Sequence, residues 1–351
     1  MTSVPTHTRA VLLGGDRTVR IVEREVPEPG PREAVVEITR SAVCGSDLPY
    51  YRAGAEELGR RASIVPGHEP VGIVRRAAPG GIPEGTRVLV YHHSGEGHCE
   101  HCLAGEPMFC LSRETLGNHR DGADAGWLVA PDASLVPLPD DIDDDLAALI
   151  SCNFGTAFAG LRKSGARVGD RVVVVGLGAV GLCVVIAAVA AGCRVIAVDP
   201  IGDRRSFAAE LGAELTIDPI ATDPVQAIRD DTGGRGAEVV IECSANARAQ
   251  KQATEAVGPH GTVLLIGSSS AMEIDPGVDL IRKEARLLGT WIFKRHEIPA
   301  VFRAARRMPD LRRLLTTPYP ATDAARAFAA VDRGEVVGKV LIDWTASASA
   351  S

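Results

Sequence analysis

The sequence predicts an α/β protein of 351 residues, with a mostly β first domain and a doubly wound parallel sheet in a second domain. Two observations lead to this prediction. Residues 1–150 hold short β-like runs that Gly and Pro interrupt, for example 34–39 and 87–91. From about residue 154 onward, strand-like apolar runs alternate with helical segments, as in the βαβ units of a parallel sheet. A chain of this length is long enough for two domains.

The elements of the second domain follow one another in regular order. The predicted strands and helices are 171–175, 179–191, 194–198, 203–211, 215–217, 238–243 and 262–266, with 287–292 as the sixth strand. An arginine-rich helical segment and a final strand at 339–343 are expected to return to the first domain. The predicted domains are therefore 1–153 with 293–351, and 154–292. Residues 345–351 are small and predict a disordered tail.

The main motif of the second domain is G-L-G-A-V-G at residues 176–181. It follows a valine-rich strand and opens an apolar helix, which is the context that a dinucleotide fingerprint requires. Gly176, Gly178 and Gly181 permit a tight turn and let backbone N–H groups approach a pyrophosphate. A glycine-rich turn that binds no nucleotide is the alternative.

Asp199 ends the next predicted strand, about 20 residues beyond the fingerprint. A carboxylate there can accept hydrogen bonds from both ribose hydroxyls and repels a 2′-phosphate, so NAD is predicted rather than NADP. Arg204 and Arg205 oppose this prediction, because an arginine can bind that phosphate.

Cys44, His68 and Cys152 are scattered residues of the kinds that bind metals. A catalytic zinc takes three protein ligands and keeps one open position, and thiolates with a neutral imidazole suit it. Any one of these cysteines taken alone is more simply a small core residue. The polar residues beside Cys44 and His68 favour the interpretation as a metal site. They occur in the runs C-G-S-D at 44–47 and H-E at 68–69.

Charge and hydropathy exclude several classes of partner. The formal net charge of −7 makes nucleic acid an unexpected partner. The longest apolar run, 182–191, is about half of a membrane span, so no membrane partner is expected. No export signal is visible near residue 1, so the eight cysteines are expected in the cytoplasm, in reduced form.

Taken in order, the motifs resemble one family. They are C-G-S-D, G-H-E at 67–69, a cysteine-rich lobe, S-C-N-F-G-T at 151–156, the fingerprint and G-K-V at 338–340. From about residue 10 to residue 343, the chain resembles the zinc-dependent medium-chain alcohol dehydrogenases. The resemblance implies a GroES-like catalytic domain joined to a six-stranded Rossmann domain, an oxidoreductase with NAD and zinc, and a homodimer or homotetramer.

The resemblance also implies residue roles. Cys44, His68 and Cys152 match the catalytic zinc ligands, and Glu69 matches a carboxylate that can replace water on the metal. The other implied roles are substrate hydrogen bonding by Ser46, orientation of the His ligand by Asp47, packing on the nicotinamide by Thr156 and Val180, and contact with the cofactor pyrophosphate by Lys339.

Two positions depart from the family pattern. A histidine that ends a proton relay often lies three residues after the position of Ser46, but this chain has Pro49 there. The candidates for carrying the proton from Ser46 to solvent instead are Tyr50, Glu69 and His92.

The cysteine-rich lobe is the second departure. Cys99, Cys102 and Cys110 keep the register of a four-cysteine structural zinc site, but the first position is Glu96. A carboxylate can bind zinc at a similar distance, so Glu96 is predicted to be the fourth ligand. The alternatives are an empty lobe, a redox-labile thiol pair, or a ligand from the neighbouring His98 or His101.

These motifs predict hydride transfer between an alcohol carbon and the nicotinamide, with zinc lowering the pKa of the alcohol. By resemblance His92 faces the substrate, which favours a polar secondary alcohol such as a polyol, sugar or cyclitol; a purely structural His92 is the alternative. Other readings are a reductase of an apolar or aromatic aldehyde or ketone, a zinc-free enone reductase, and a nicotinamide-binding protein without alcohol chemistry.

Overall fold

The structure is a computed structural model that describes residues 3–268 and 271–345. The predicted tail lies outside the described residues, apart from Thr345. The strands are β1 (His7–Gly15), β2 (Thr18–Glu25), β3 (Glu33–Val43), β4 (Val71–Arg76), β5 (Arg87–Val90), β6 (His93–Ser94), β7 (Glu114–Thr115), β8 (Trp127–Pro131), β9 (Leu135–Pro137), β10 (Arg171–Val175), β11 (Arg194–Val198), β12 (Leu215–Ile217), β13 (Ala237–Glu242), β14 (Val257–Leu265), β15 (Arg286–Gly289), β16 (Tyr319–Pro320) and β17 (Val340–Asp343).

The α-helices are α1 (Leu48–Arg52), α2 (Ala55–Leu58), α3 (Glu100–Leu103), α4 (Asp144–Leu149), α5 (Gly155–Ser164), α6 (Ala179–Ala190), α7 (Gly202–Glu210), α8 (Pro224–Asp231), α9 (Ala247–Ala256), α10 (Ile298–Ala305) and α11 (Ala324–Asp332). Short 3-10 and π turns join them, including the 3-10 turn Gly45–Asp47 and the π turn Ile150–Phe154. In the described part of the chain, no helix has the length and apolar character that crossing a membrane requires.

The chain divides into two compact units, of which the first comprises Met1–Cys152, Lys294–His296 and Leu315–Ser351. The second comprises Asn153–Phe293 and Glu297–Leu314. The sequence assigned 297–314 to the first domain, but the structure groups this segment with the second unit. The reason is packing: α10 lies against α5, and the turn Pro309–Leu314 lies against α6.

The first unit is built on a mixed sheet with the strand order β16-β17-β3-β4-β5-β9, and β8 also pairs with β3. The central strand β3 is buried along most of its length, because its apolar residues face a core that includes Val36, Ile38 and Phe328. The last strand, β17, pairs antiparallel with the end of β3, so that Val340 lies opposite Val43. This pairing brings the C-terminal part of the chain beside Cys44.

The second unit contains a parallel six-stranded sheet in the order β12-β11-β10-β13-β14-β15. This arrangement confirms the predicted doubly wound fold. Its strands are apolar on both faces, as in the fully buried centre of Arg171–Val175, because helices cover both sides of such a sheet. The sixth strand ends at Gly289, three residues earlier than the sequence predicts.

Candidate metal and cofactor sites

Four residues that lie far apart in the sequence meet in the first unit. One ligand atom from each of Cys44, His68, Glu69 and Cys152 lies within 4.8 Å of the others. Cys44 directly follows β3, His68 and Glu69 precede β4, and Cys152 lies in the π turn after α4. Two thiols, one imidazole and one carboxylate are the donor set that zinc prefers. The residues therefore fit the metal that the sequence predicts.

The two thiols of this cluster are electrostatically coupled. A hydrogen bond from the Cys152 thiol holds the pKa of Cys44 well below its ordinary value, in spite of burial. The same hydrogen bond and burial raise the pKa of Cys152 well above its ordinary value. Cys44 therefore ionises readily, whereas Cys152 resists ionisation. A cation bound at the site would stabilise the Cys152 thiolate as well.

Asp47 orients the cluster through two contacts. Its Oδ2 accepts a hydrogen bond from the backbone N–H of Cys44 at 2.8 Å, and its Oδ1 lies 3.2 Å from His68 Nδ1. Burial alone would lower the pKa of His68, but the Asp47 carboxylate outweighs it and raises that pKa well above its ordinary value. Since Nδ1 faces Asp47, Nε2 is the nitrogen left for a metal.

Ser46 and His92 lie near the imidazole of His68. Ser46 Oγ is 3.5 Å from His68 Nε2, and the centroids of the His68 and His92 rings are 5.1 Å apart. His92 is buried, which holds its pKa well below its ordinary value, so the ring is neutral. Within the described residues its Nδ1 has no hydrogen-bond partner. A polar substrate group could supply one.

Lys339 is buried in the first unit, beside Glu69. Its side chain is 1% exposed, and its Nζ lies 2.6 Å from Glu69 Oε2 and donates to the Val43 carbonyl at 3.0 Å. Burial would lower the pKa of Lys339, but the Glu69 carboxylate raises it above its ordinary value. These contacts tether the segments that carry Cys44 and His68 to each other. The contact of Lys339 with the cofactor pyrophosphate stays a prediction.

Asp124 is a buried carboxylate that the sequence reading missed. Its Oδ1 accepts a hydrogen bond from Ser41 Oγ at 2.7 Å, and Ser41 Oγ accepts from Trp344 Nε1 at 3.0 Å. A Cβ on Gly67 would lie 2.7 Å from this carboxyl group, so Asp124 packs directly against Gly67, the residue that precedes His68. Burial raises its pKa to about 7. Its only sequence signal was its position three residues before the apolar strand β8.

The fingerprint forms the turn between β10 and α6. Gly176 has φ 87°, and a Cβ there would lie 2.7 Å from Ser244. A Cβ on Gly181 would overlap the carbonyl oxygen of Gly176, and Gly178 is the N-cap of α6. The turn therefore needs glycine at positions 176 and 181, and it lies at the start of a helix, where backbone N–H groups are free to bind an anion. Thr156 and Val180 lie on α5 and α6, which pack together.

Asp199, at the end of β11, braces this turn. Its Oδ2 accepts from the Leu177 N–H at 2.7 Å and its Oδ1 accepts from the Ile201 N–H at 2.8 Å. Arg204 Nη1 lies 3.8 Å from Oδ2, and Arg205 donates to the Asp199 carbonyl at 2.7 Å. Asp199 is 3% exposed, so its carboxylate is buried against the fingerprint turn.

The cysteine lobe brings three of its four predicted ligands together. The sulfur atoms of Cys99, Cys102 and Cys110 lie within 4.8 Å of one another, and the carboxylate of Glu96 does not belong to this group. It accepts instead from Ser112 Oγ at 3.4 Å. The backbone N–H of Glu96 donates to the Cys110 sulfur and lowers its pKa. In this structure Glu96 therefore serves the lobe through its backbone.

Comparison with known proteins covers both units. The family described as alcohol dehydrogenase GroES-like domain matches residues 30–140, and the family described as zinc-binding dehydrogenase matches residues 179–307. An uncharacterised zinc-type alcohol dehydrogenase-like protein of Escherichia coli is 31% identical over 95% of this chain and 98% of its own. An alcohol dehydrogenase of Geobacillus stearothermophilus is 30% identical, with coverages of 95% and 98%. The structure of an alcohol dehydrogenase from Thermus sp. ATN1 has a TM-score of 0.85 at 27% identity, covering 95% of this chain and 99% of its own.

Proposed function

Because this chain belongs to the zinc-dependent medium-chain alcohol dehydrogenase family, we propose that it interconverts a polar secondary alcohol and its ketone, with NAD as the preferred hydride acceptor. The family membership makes the chain a zinc-dependent oxidoreductase that works with a nicotinamide dinucleotide and a small-molecule substrate. The substrate class, the choice of NAD and the number of zinc ions are the parts that we propose.

The observation that carries the proposal is the convergence of Cys44, His68 and Cys152 on one point. These three residues would hold a zinc ion, which would supply Lewis-acid activation of a hydroxyl group, and a bound nicotinamide dinucleotide would supply the hydride acceptor. The protein's own residues then have defined tasks. Ser46 Oγ, 3.5 Å from His68 Nε2, is placed to take the hydroxyl proton, and Asp47 holds the imidazole in orientation.

The polarity of the surroundings supports a polar substrate. His92 is 6% exposed and neutral, with an Nδ1 that has no hydrogen-bond partner in the described part of the chain. An unpaired buried polar atom costs roughly 1–3 kcal/mol, which a second hydroxyl on the substrate would offset. A polyol, sugar or cyclitol has such a hydroxyl, whereas an apolar alcohol does not.

The preference for NAD is supported by Asp199. Its carboxylate lies beside the fingerprint and would repel a 2′-phosphate, although Arg204 lies 3.8 Å away and weakens that repulsion. We expect kcat/KM for NAD to exceed that for NADP by roughly 100-fold, or about 2.7 kcal/mol. Equal values would mean that Arg204 outweighs Asp199.

We also propose a second zinc ion, bound by the thiolates of Cys99, Cys102 and Cys110. Three sulfurs that converge in a lobe whose Leu103 and Leu111 side chains are exposed, and therefore add little apolar packing, fit a structural metal.

One set of measurements tests the function. The purified protein is analysed for zinc and assayed for NAD reduction with a panel of polyols, sugars and cyclitols, and with apolar alcohols of similar size. We expect oxidation of the polar alcohols, loss of activity on incubation with 1,10-phenanthroline, and recovery on addition of zinc. Activity that persists without metal, or reduction of an enone but no oxidation of any alcohol, would contradict the proposal.

A further inference from the structure

A buried carboxylate at the end of β13 has no part in the chemistry described so far. Glu242 is the last residue of this strand and is 0% exposed. Its Oε1 accepts hydrogen bonds from the Ser244 backbone N–H at 2.6 Å and from the Ser244 hydroxyl, and its Oε2 accepts from Gln250 Nε2 at 3.3 Å. Gln250 Nε2 also donates to the Gly267 carbonyl at 2.8 Å. Because a carbonyl oxygen only accepts, this second bond fixes the orientation of the Gln250 amide.

These hydrogen bonds favour the ionised form of Glu242. An ionised carboxylate accepts all three of them at once, whereas a protonated one must lose or reverse at least one. Burial raises the pKa of Glu242 above its ordinary value, and the hydrogen bonds from Ser244 and Gln250 oppose this effect. Within the described part of the chain, no Lys, Arg or His side chain forms an ion pair with Glu242. A buried negative charge without a cation is costly, so it would stabilise a positive charge brought near it.

Glu242 lies beside the fingerprint turn. In the parallel register of β10 and β13, its partner is Val175, the residue directly before Gly176. Ser244 packs against the turn, since a Cβ on Gly176 would lie 2.7 Å from it. On the other side, a Cβ on Gly267, which follows β14, would lie 2.8 Å from Glu242 Oε2. The carboxylate is therefore located between the ends of β10 and β14.

The strand order assigns the two halves of a bound dinucleotide to opposite sides of β10. The order is β12-β11-β10-β13-β14-β15, and a dinucleotide lies across the carboxyl ends of such strands where the order reverses, with its pyrophosphate at the fingerprint. Asp199, at the end of β11, is the acidic residue expected to bind the ribose of the adenosine half. The nicotinamide half then falls on the β13 side, which is the side of Glu242.

The two redox states of the cofactor differ in charge at this half. In the oxidised dinucleotide the nicotinamide ring carries a positive charge, which it loses when it accepts a hydride. A fixed negative charge in surroundings of low dielectric constant stabilises the cationic ring and not the neutral one. We propose that the Glu242 carboxylate raises the affinity of the protein for the oxidised dinucleotide relative to the reduced one. The same charge weakens the hold on NADH relative to NAD, which favours release of the reduced product. Only the binding of a nicotinamide dinucleotide is needed for this effect, whatever the alcohol.

Binding constants test the role of Glu242 without turnover. Fluorescence titration of the zinc-loaded protein gives the Kd of NADH, and displacement of NADH gives the Kd of NAD, both in the absence of alcohol. Glu242→Gln removes the charge and nearly keeps the size of the side chain. We expect it to raise the ratio of the NAD Kd to the NADH Kd by about fivefold or more, because one buried unit charge is lost. If the parent protein binds NADP and NADPH more tightly, this pair replaces NAD and NADH.

Three further variants separate the charge from the packing. Glu242→Asp retains the charge and should keep the ratio within about twofold of the parent value. Gln250→Lys introduces an ammonium beside the carboxylate and should raise the ratio as Glu242→Gln does. Glu238→Gln, at an exposed carboxylate on the same strand but far from its carboxyl end, is the matched control and should leave the ratio unchanged. Thermal unfolding checks that each variant is folded.

The possible failures are distinguishable. If the parent protein binds neither redox state of either dinucleotide, the proposed function fails, and the role of Glu242 fails with it. If both redox states bind but the folded Glu242→Gln and Gln250→Lys proteins leave the ratio unchanged or lower it, the dehydrogenase stands. Glu242 is then a structural residue of the turn that does not distinguish the redox states. The same conclusion follows if Glu238→Gln raises the ratio as much as Glu242→Gln.

Discussion

Lys339 shows how much one buried side chain changes the interpretation of the site. Its ammonium lies 2.6 Å from Glu69 and binds the carbonyl of Val43, the residue before Cys44. Lys339→Met leaves the Glu69 carboxylate buried and unpaired, so we expect a loss of about 3–5 kcal/mol in unfolding free energy and a lower affinity for the catalytic zinc. Denaturant unfolding and zinc analysis measure both.

The control for Lys339→Met is Lys163→Met, at an exposed lysine of the second unit, which should change neither quantity. Adding Glu69→Gln to Lys339→Met removes the unpaired charge and should recover part of the stability. A Lys339→Met protein with normal zinc content but tenfold weaker NAD binding would restore the pyrophosphate contact that the sequence predicts.

Asp124 gives a pH-dependent prediction. Burial raises its pKa from 3.8 to about 7, so between these values the folded protein keeps a proton that the unfolded chain releases. The free energy of unfolding therefore falls as the pH rises from 3.8 to about 7, because the unfolded chain ionises Asp124 at a lower pH than the folded protein does. Asp124→Asn cannot ionise but can still accept from Ser41, so its stability relative to the parent should rise by about 2–3 kcal/mol from pH 5 to pH 8.

Denaturant unfolding of Asp124→Asn and the parent protein across this pH range measures the effect. Asp140→Asn, at an exposed carboxylate, should show no such trend. An unchanged difference between pH 5 and pH 8 would mean that Asp124 is ionised throughout and finds compensation elsewhere.

At the scale of single elements, the cysteine lobe depends most on a metal. Helix α3 has no buried residue, while Leu103 and Leu111 are 75% and 101% exposed, so apolar packing contributes little here. We expect Cys102→Ser to reduce the zinc content from two ions to one per chain and to make 96–110 sensitive to proteolysis. Glu96→Ala should retain both ions, because the Glu96 carboxylate faces Ser112 and its contact with Cys110 comes from the backbone.

Metal analysis with limited proteolysis followed by mass spectrometry reports both results for the lobe. If Glu96→Ala loses one zinc ion as Cys102→Ser does, then Glu96 is the fourth ligand, as predicted from the sequence. If the parent protein holds one zinc ion and its lobe thiols are freely alkylated, the lobe is not a metal site.

At the scale of the whole molecule, the two chemical tasks belong to different units. The candidate zinc ligands lie in the first unit, and the fingerprint with Asp199 lies in the second. We therefore expect Cys44→Ala to lose the catalytic metal and lower turnover at least about 1,000-fold, while NADH binds with unchanged affinity. Fluorescence titration with NADH and a turnover assay check this, with Cys193→Ala as the control because this buried cysteine lies in neither metal cluster. Turnover by a metal-free Cys44→Ala protein would refute the mechanism.

The sequence was sufficient for those features that depend on local pattern. The alternation of strands and helices after residue 154 follows from periodicity, and it led to the prediction of the doubly wound parallel sheet that the structure has. The glycines of the fingerprint could be read from the sequence because the turn requires them. Gly176 has φ 87°, and a Cβ on Gly181 would overlap the carbonyl oxygen of Gly176. Cys44, His68 and Cys152 were identifiable because their neighbouring residues form motifs that occur in a fixed order.

Only the tertiary structure decided the features that depend on contacts between distant segments. Lys339 meets Glu69 because β17 pairs with β3, a register that the local sequence does not encode. Likewise, the orientation of the Glu96 carboxylate depends on its hydrogen bond with Ser112, which the fold of the lobe brings near. By itself the sequence determined which fold forms and which donor atoms are available. The long-range pairing of strands decided which charges face one another, because electrostatic interactions depend on distance in space and not on distance along the chain.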